Sequence, residues 1–303
     1  MKILVCDKTE KDAVDRMRAA GLNVDVRDNI TPEELPGVLP AYEGMVVRSR
    51  TKVRQPLIDV CPNLKVIVRG GVGLDTIDAE YARSRGITVM NTPMASSASV
   101  AELTIGYMFA LARSIFQASS SMKAERWEKK LFEGDEISGK VLGLIGIGNI
   151  GKEVAKRAIA LGMTVIAYDP YVKSAGEVKM VSLDDLFSSS DYISFHLPKT
   201  KESANMIGTA QIAKMKNGVR IINCARGGII DEAALYEALS NGKIAGAALD
   251  VFGEEPPTDW KLIKLPNVIG SPHIGAATKE AQGRVGAEVA DKLIEFAKNF
   301  QPA

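Results

Sequence analysis

The twelve residues from Lys140 to Gly151, KVLGLIGIGNIG, constrain the fold of this chain more than any other stretch. Val141 to Ile145 form a short apolar run, which suits a strand buried on both faces of a parallel sheet. Gly146, Gly148 and Gly151 follow with G-x-G-x-x-G spacing. Between a strand and a helix, the first glycine makes a tight turn and the second lets a pyrophosphate approach the backbone. The third lets helix and strand pack closely. The helix start, with Asn149 and Ile150 on it, turns free amides and a positive dipole end toward the phosphates. A helical pattern through Val154, Ala155, Ala158 and Leu161 then stops at Gly162.

Such spacing also arises by chance among 27 glycines in 303 residues, so its context decides. A second apolar run, Met163 to Tyr168, leads into Asp169, eighteen positions beyond Gly151. A carboxylate there accepts hydrogen bonds from the ribose hydroxyls of a dinucleotide. The bland alternative is a tight turn followed by an exposed aspartate. Pro170, Tyr171 and Val172 come next, with no arginine to neutralise a 2′-phosphate, so NAD is favoured over NADP.

A length of 303 residues suits about two domains. In the first ninety residues, strand runs at 3–6, 24–26, 45–47, 66–68 and 87–89 alternate with helical stretches. One of these opens at Thr31-Pro-Glu-Glu34 with a capping box, and Gly21 closes the one before it. Residues 91–98 read as a crossover, 100–113 as a buried apolar helix, and 122–139 as a charged loop segment carrying Trp127 and Phe132. Trp127, a tryptophan among charges on a loop, is either an anchor into a partner or packed on its own domain. The second series places strands at 141–145, 164–168, 179–181, 192–195, 220–223, 244–248 and 268–269. Helices begin near Ser182 and Asp231, and a last amphipathic helix runs from Thr278 to about Lys298. The expected fold is α/β, with two doubly wound parallel-sheet domains and a cleft between them. Residues 1–96 and 280–303 form one domain and 97–279 the other.

Basic and acidic residues are interspersed and the net charge is +1, which argues against nucleic acid or a membrane surface as partner. Cys6, Cys61 and Cys224 are far apart, without metal-ligand or disulfide spacing, so no metal is expected and a reducing compartment is. The start of the chain lacks a signal-peptide core, and the longest apolar stretch falls short of the roughly 20 residues that span a bilayer. The expectation is a cytoplasmic protein.

Two histidines limit the choice of a near-neutral acid or base. His196, with Leu197 and Pro198, ends a strand and reads as a wall beside the adenine. His273 follows the last strand and is the better acid or base. Glu255 is the leading candidate to orient its imidazole and stabilise the imidazolium. Arg226, just past another strand, can grip a carboxylate in a two-pronged fork and polarise a carbonyl. Gly71, Val72 and Gly73 lie in a second glycine loop, where successive amides can hold a substrate carboxylate. Arg48, Arg50 and Lys52 place three cations within five residues, which suits a phosphate; the alternative is a solvated basic loop.

These motifs resemble the D-2-hydroxyacid dehydrogenases over nearly the whole chain. The likeness runs through Arg48-Ser-Arg-Thr-Lys52, Gly71-Val-Gly-Leu-Asp75, Val100-Ala-Glu102, the loop at Gly146, Tyr168-Asp-Pro170 and His196-Leu-Pro198. It continues through Asn223-Cys-Ala-Arg-Gly-Gly-Ile-Ile-Asp-Glu232, Leu249-Asp-Val-Phe252, Glu255-Pro-Pro257 and Pro272-His-Ile-Gly275. What the resemblance implies is a flavodoxin-like substrate domain beside a Rossmann NAD-binding domain, with Arg226, Glu255 and His273 as the catalytic set. It implies oxidation of a phosphorylated 2-hydroxy acid, 3-phosphoglycerate, to 3-phosphohydroxypyruvate as the first step of serine synthesis. Asp250 is then expected at the cofactor carboxamide, with Cys224, Ala225 and Gly275 lining the same site. A homodimer through the cofactor domain, with Trp127 on an arm, is implied as well. Many relatives carry further C-terminal serine-binding domains, and the expectation here is a short form without them. An unphosphorylated glyoxylate or hydroxypyruvate substrate, and a non-catalytic NAD-sensing protein, are the competing readings.

Overall fold

The computed structural model describes residues 1–300. Two compact units emerge: Met1–Ser96 with the segment from Ala276 onward, and Ser97–Gly275. The chain returns to the first unit at Ala276, where the sequence suggests residue 280. The reason is local: the Gly275 amide is held by Asp250 of the second unit, whereas the Ala276 carbonyl accepts a hydrogen bond from Gln282 in the last helix.

In the first unit, β1 (Lys2–Val5), β2 (Asn23–Val26), β3 (Gly44–Val47), β4 (Val66–Arg69) and β5 (Thr88–Asn91) lie in the order β2-β1-β3-β4-β5. The second unit holds β6 (Val141–Ile145), β7 (Thr164–Tyr168), β8 (Lys179–Met180), β9 (Tyr192–Phe195), β10 (Val219–Asn223), β11 (Ile244–Leu249) and β12 (Val268–Gly270). Their order is β12-β11-β10-β9-β6-β7-β8, and every pairing in both sheets is parallel. Each apolar run recognised in the sequence becomes a strand, with ends displaced by two residues at most. Both sheets are covered on both faces by apolar clusters, as parallel sheets require.

The last helix, Lys279–Asn299, buries Val285, Val289, Ala290 and Leu293 against Ile3, Val5 and Val68 and against the helix Lys11–Ala19. At about 1.5–3 kcal/mol per fully buried large aliphatic side chain, three such residues are worth about as much as the whole net stability of a typical domain. Thr278 caps this helix through the Ala281 amide, as Ser182 and Asp231 cap theirs.

Three expectations need correction. The Thr31/Glu34 capping box forms, at 3.3 and 3.0 Å, but the regular helix it introduces is only Leu35–Val38. Pro36 and Pro40 lack the amides that would prolong it. The apolar helix begins at Ser97 rather than Val100, because Ser97 and Ser99 are buried in its first turn although their polarity suggests a loop. Part of 122–139 is also helical, with α-helix at Ile115–Lys123 and a 3₁₀ turn at Lys129–Phe132. Among the described residues no single helix is long and apolar enough to cross a membrane.

Candidate active site

Within the second unit, β6 pairs with β7 on one side and β9 on the other, so the order of connection reverses there. Ligands of such sheets bind outside the carboxyl ends of the strands at this switch. The glycine loop leaves β6 at that place. Gly146 has φ +95°, and a β-carbon on it would lie 2.5 Å from the His196 carbonyl oxygen. One on Gly151 would meet the Gly146 carbonyl oxygen, again at 2.5 Å. At Gly148, which precedes the helix Asn149–Ala160, the same atom would point into open space. Two glycines are thus required by the protein's own packing, while the third leaves room for something outside it. That pattern fits a bound pyrophosphate.

Asp169 follows β7. One carboxylate oxygen accepts the Ile147 amide at 3.0 Å, and the other accepts those of Tyr171 and Val172. The side chain therefore ties the glycine loop to the next turn, a role the sequence does not reveal. An ionised carboxylate has about four acceptor positions, which leaves one for a ribose hydroxyl.

His196 is turned inward. Its Nε2 lies 2.9 Å from Ser194 Oγ, its Nδ1 is buried, and burial pushes the imidazole down to about 3. A ring held neutral in this way is not an acid in the neutral range.

Arg226 sits on the turn after β10. Asn223 accepts the Ala225 amide and donates to the Arg226 carbonyl, which shapes the turn, and Arg226 Nη1 donates to the Ala225 carbonyl at 2.6 Å. The following Gly227 passes so near the β11 loop that a β-carbon would lie 1.7 Å from the Phe252 carbonyl oxygen. Glu232 spans the same two loops, accepting the Gly253 amide at 2.6 Å. These contacts set Arg226 relative to Glu255; the motif from Asn223 to Glu232 contains both residues, but its spacing does not reveal that they bridge the two loops.

Glu255 meets His273 directly, with Oε2 2.7 Å from Nδ1, while Oε1 accepts the Phe252 amide at 3.1 Å. Burial raises the Glu255 carboxyl. The His273 hydrogen bond and charge, the Phe252 amide and the Arg226 charge outweigh that and hold it below the ordinary glutamate value. Because an ionised carboxylate can only accept, His273 Nδ1 carries the proton and Nε2 is left to work. The His273 side chain is half exposed, so Nε2 is reachable.

Asp250, expected at a carboxamide, is buried and mostly engaged elsewhere. Its Oδ1 accepts from Ser271 Oγ and the Ile274 amide, and its Oδ2 accepts the Gly275 amide. One acceptor position on Oδ2 remains for any ligand. The thiol of Cys224 is buried and pushed up to about 12, chiefly by burial and then by the nearby Asp250. Ala225 is buried beside it.

In the first unit, Arg48 and Arg50 leave β3 together but differ in what they do. Arg50 is spent internally. It pairs with the buried Asp7 at 3.0 Å and donates to the carbonyls of Ile30, Asp28 and Cys6. Four of its five N–H groups hold the fold, which weighs against the substrate phosphate expected of it. Asp7 collects further bonds from Thr51 and the Arg48 amide, a network spanning more than forty residues of sequence. The Arg48 guanidinium donates only one long bond, 3.3 Å to the Lys8 carbonyl. Its Cγ passes 3.5 Å from the β-carbon position of Gly70 and so borders the glycine loop. In that loop Gly71 has φ +154°, and Asn91 and Thr92 bond the carbonyls of Val72 and Gly71, while the Gly70 amide is held by the Val47 carbonyl. Among the described residues no cluster of side chains is arranged to hold a metal ion.

Residues 105–275 match the family described as D-isomer specific 2-hydroxyacid dehydrogenase, NAD binding domain. D-3-phosphoglycerate dehydrogenase of Archaeoglobus fulgidus is 50% identical over 99% of this chain, which spans 58% of that protein's length. Hydroxypyruvate reductase of Thermotoga maritima is also 50% identical, over 97% of each chain. Two solved structures superpose closely. D-lactate dehydrogenase from Aquifex aeolicus, complexed with NAD and lactic acid, has a TM-score of 0.86 at 30% identity over 99% of this chain and 96% of that one. A glyoxylate reductase from Paecilomyes thermophila has a TM-score of 0.89 at 30% identity over 97% and 94%.

Proposed function

The chain belongs to the NAD-dependent D-2-hydroxyacid dehydrogenases, and from that premise we propose that it oxidises 3-phosphoglycerate to 3-phosphohydroxypyruvate. The loop Gly146–Gly151 and Asp169 would hold NAD, which would supply the acceptor for the hydride from C2. The protein's own groups handle the proton and the charge. His273 Nε2 takes the proton of the 2-hydroxyl as the carbonyl forms and returns it in the reverse direction. Glu255, bonded to Nδ1, fixes the tautomer and stabilises the imidazolium. Arg226 provides the cationic fork for the substrate carboxylate and the developing carbonyl. Buried and neutral, His196 does not compete for the proton. The amides of Gly71–Gly73 are assigned to the carboxylate and Arg48 to the phosphate.

One observation supports the phosphorylated substrate: the Arg48 side chain leaves past the glycine loop, its Cγ beside Gly70, and its guanidinium spends one long hydrogen bond on the protein. Reduction of 3-phosphohydroxypyruvate and of hydroxypyruvate by NADH, with the native chain and Arg48→Ala, tests it. Arg48→Ala is expected to lower kcat/KM on the phosphorylated substrate by about 10- to 100-fold, the worth of a lost charge-assisted pair, and to leave hydroxypyruvate within about threefold. Equal losses on both would exclude the phosphate role.

Hydroxypyruvate reduction is the second reading. It is favoured by the internal commitment of Arg50, which removes one of the two arginines that suggested a phosphate. The Thermotoga relative that matches along nearly its whole length bears that name.

We also infer a homodimer. Trp127 is 81% exposed, and Ile115, Phe116, Met122 and Leu131 are exposed around the same segment. Patches of this kind mark interfaces. Trp127→Asp is expected to give monomers in sedimentation, and an unchanged dimer would exclude this face.

A further inference from the structure

His273 is an unusual residue on which to place a proton. Its φ is +53°, in the left-handed region that few residues other than glycine occupy, although histidine does so more readily than most. The contacts that hold it lie beneath the turn, away from substrate. The His273 amide bonds to the Ser271 carbonyl, and the next two amides, of Ile274 and Gly275, both end on the carboxylate of Asp250 at 2.7 Å. Asp250 is in turn fixed by the Ser271 hydroxyl, and Ser271 Oγ accepts from the phenol of Tyr107. Tyr107 belongs to the buried helix Ser97–Ala112 and is itself buried, so the series ends on a rigid element. All of these groups lie within the second unit.

The geometry points to Tyr107 and Ser271 as positioning residues for His273: the series Tyr107 hydroxyl, Ser271 hydroxyl, Asp250 carboxylate holds the 273–275 turn in the one conformation that brings Nδ1 onto Glu255. The series is directional. The phenol donates to a hydroxyl whose own proton is committed to Asp250, and each bond polarises the next. Burial pushes the Tyr107 phenol up to about 12, so it stays protonated and remains a donor throughout the working range. The charged groups about the pair are Glu255 on Nδ1, Arg226, whose charge acts on Glu255, and Asp250, which accepts the amides of the two residues after His273. Loosening the turn weakens the Glu255 contact first, because that contact depends on where the left-handed residue points.

This inference rests on the reading of His273 as the proton carrier, but its test does not depend on which substrate is turned over. The two histidines give two imidazole Cε1–H signals in the NMR spectrum of the ligand-free protein. His196, held near 3, does not titrate above pH 5, so the moving signal reports His273. Tyr107→Phe and Ser271→Ala are each expected to lower its midpoint by about half a pH unit or more, since the imidazolium loses support from Glu255. Ser271→Thr, which keeps the hydroxyl, should restore it. The double variant Tyr107→Phe/Ser271→Ala should move no further than Ser271→Ala alone, because members of one series are not additive. In turnover, Tyr107→Phe should lower kcat by about five- to tenfold with KM for NADH unchanged. A midpoint that stays in place in folded Tyr107→Phe, or effects of the two variants that simply add, overturns the positioning role. Failure of 3-phosphohydroxypyruvate to react would remove the substrate assignment while leaving the titration result to stand on its own.

Discussion

Glu255 uses its two oxygens for different purposes: Oε2 lies 2.7 Å from His273 Nδ1, and Oε1 accepts the Phe252 amide at 3.1 Å. The amide pins the carboxylate, and the pinned carboxylate sets the ring. Because the Glu255 carboxyl is held below its ordinary value, it is ionised across the neutral range. Its support of the pair is complete above the unfolded glutamate value, about 4.3, and fades only as pH falls through the lower folded one. Glu255→Gln is expected to reduce kcat for oxidation on the order of 10²-fold, since the imidazolium loses the carboxylate that supports it. An unchanged kcat in the folded variant would separate Glu255 from the proton transfer.

Arg50 is expected to matter for stability and not for substrate. Arg50→Ala leaves the buried Asp7 with three donors in place of four and frees the carbonyls that the guanidinium binds. A loss of roughly 1–3 kcal/mol follows from one unsatisfied charged acceptor, read as a lower urea midpoint. Arg50→Lys should not restore it, since a point charge cannot reach four acceptors. A large rise in KM for the phosphorylated substrate, with stability unchanged, would reverse this assignment.

The cysteines should be silent. All three are buried, with the thiols of Cys6 and Cys224 raised to about 12 and that of Cys61 to about 11. Reactivity follows the thiolate, whose share even for Cys61 at pH 8 is about one in a thousand. The native protein should take up no iodoacetamide in an hour at pH 8 and three equivalents once unfolded. Rapid native labelling of Cys224, with loss of activity, would contradict its burial.

The glycines of the nucleotide loop should separate by what a methyl group meets. Gly151→Ala collides with the Gly146 carbonyl and should lower the melting temperature. Gly148→Ala meets nothing within the protein, so its melting temperature should be unaltered. Its NAD affinity should nonetheless fall at least about tenfold, since the space it fills is where a pyrophosphate approaches the backbone. Unchanged affinity in calorimetry would move the phosphates elsewhere.

What could be read from the sequence follows from how local each signal is. The central strands are legible because a parallel sheet demands apolar runs, whereas the edge strands β2, Asn23–Val26, and β8, Lys179–Met180, carry a weaker signal. Arg226, Glu255 and His273 stand out because each follows a strand within a few residues. The partner of Arg50 is Asp7, forty-three positions away, and Tyr107 meets Ser271 across 164. No periodicity encodes such pairs, so Arg50 resembles a free cation and Tyr107 one more apolar residue of a buried helix. The early start of the Ser97–Ala112 helix was hidden for a related reason: serine looks like loop until the burial around it is known.

The last helix completes a sheet whose strands are all made from the first ninety-one residues. On the ribosome, the face formed by Ile3, Val5 and Val68 must therefore wait for nearly two hundred further residues before Val285, Val289 and Leu293 can cover it. The intervening unit has all of its own strands by then and can close first. The N-terminal unit is thus begun first and finished last, and the exposed face in that interval is where a chaperone or a misfolding partner would find this chain most open.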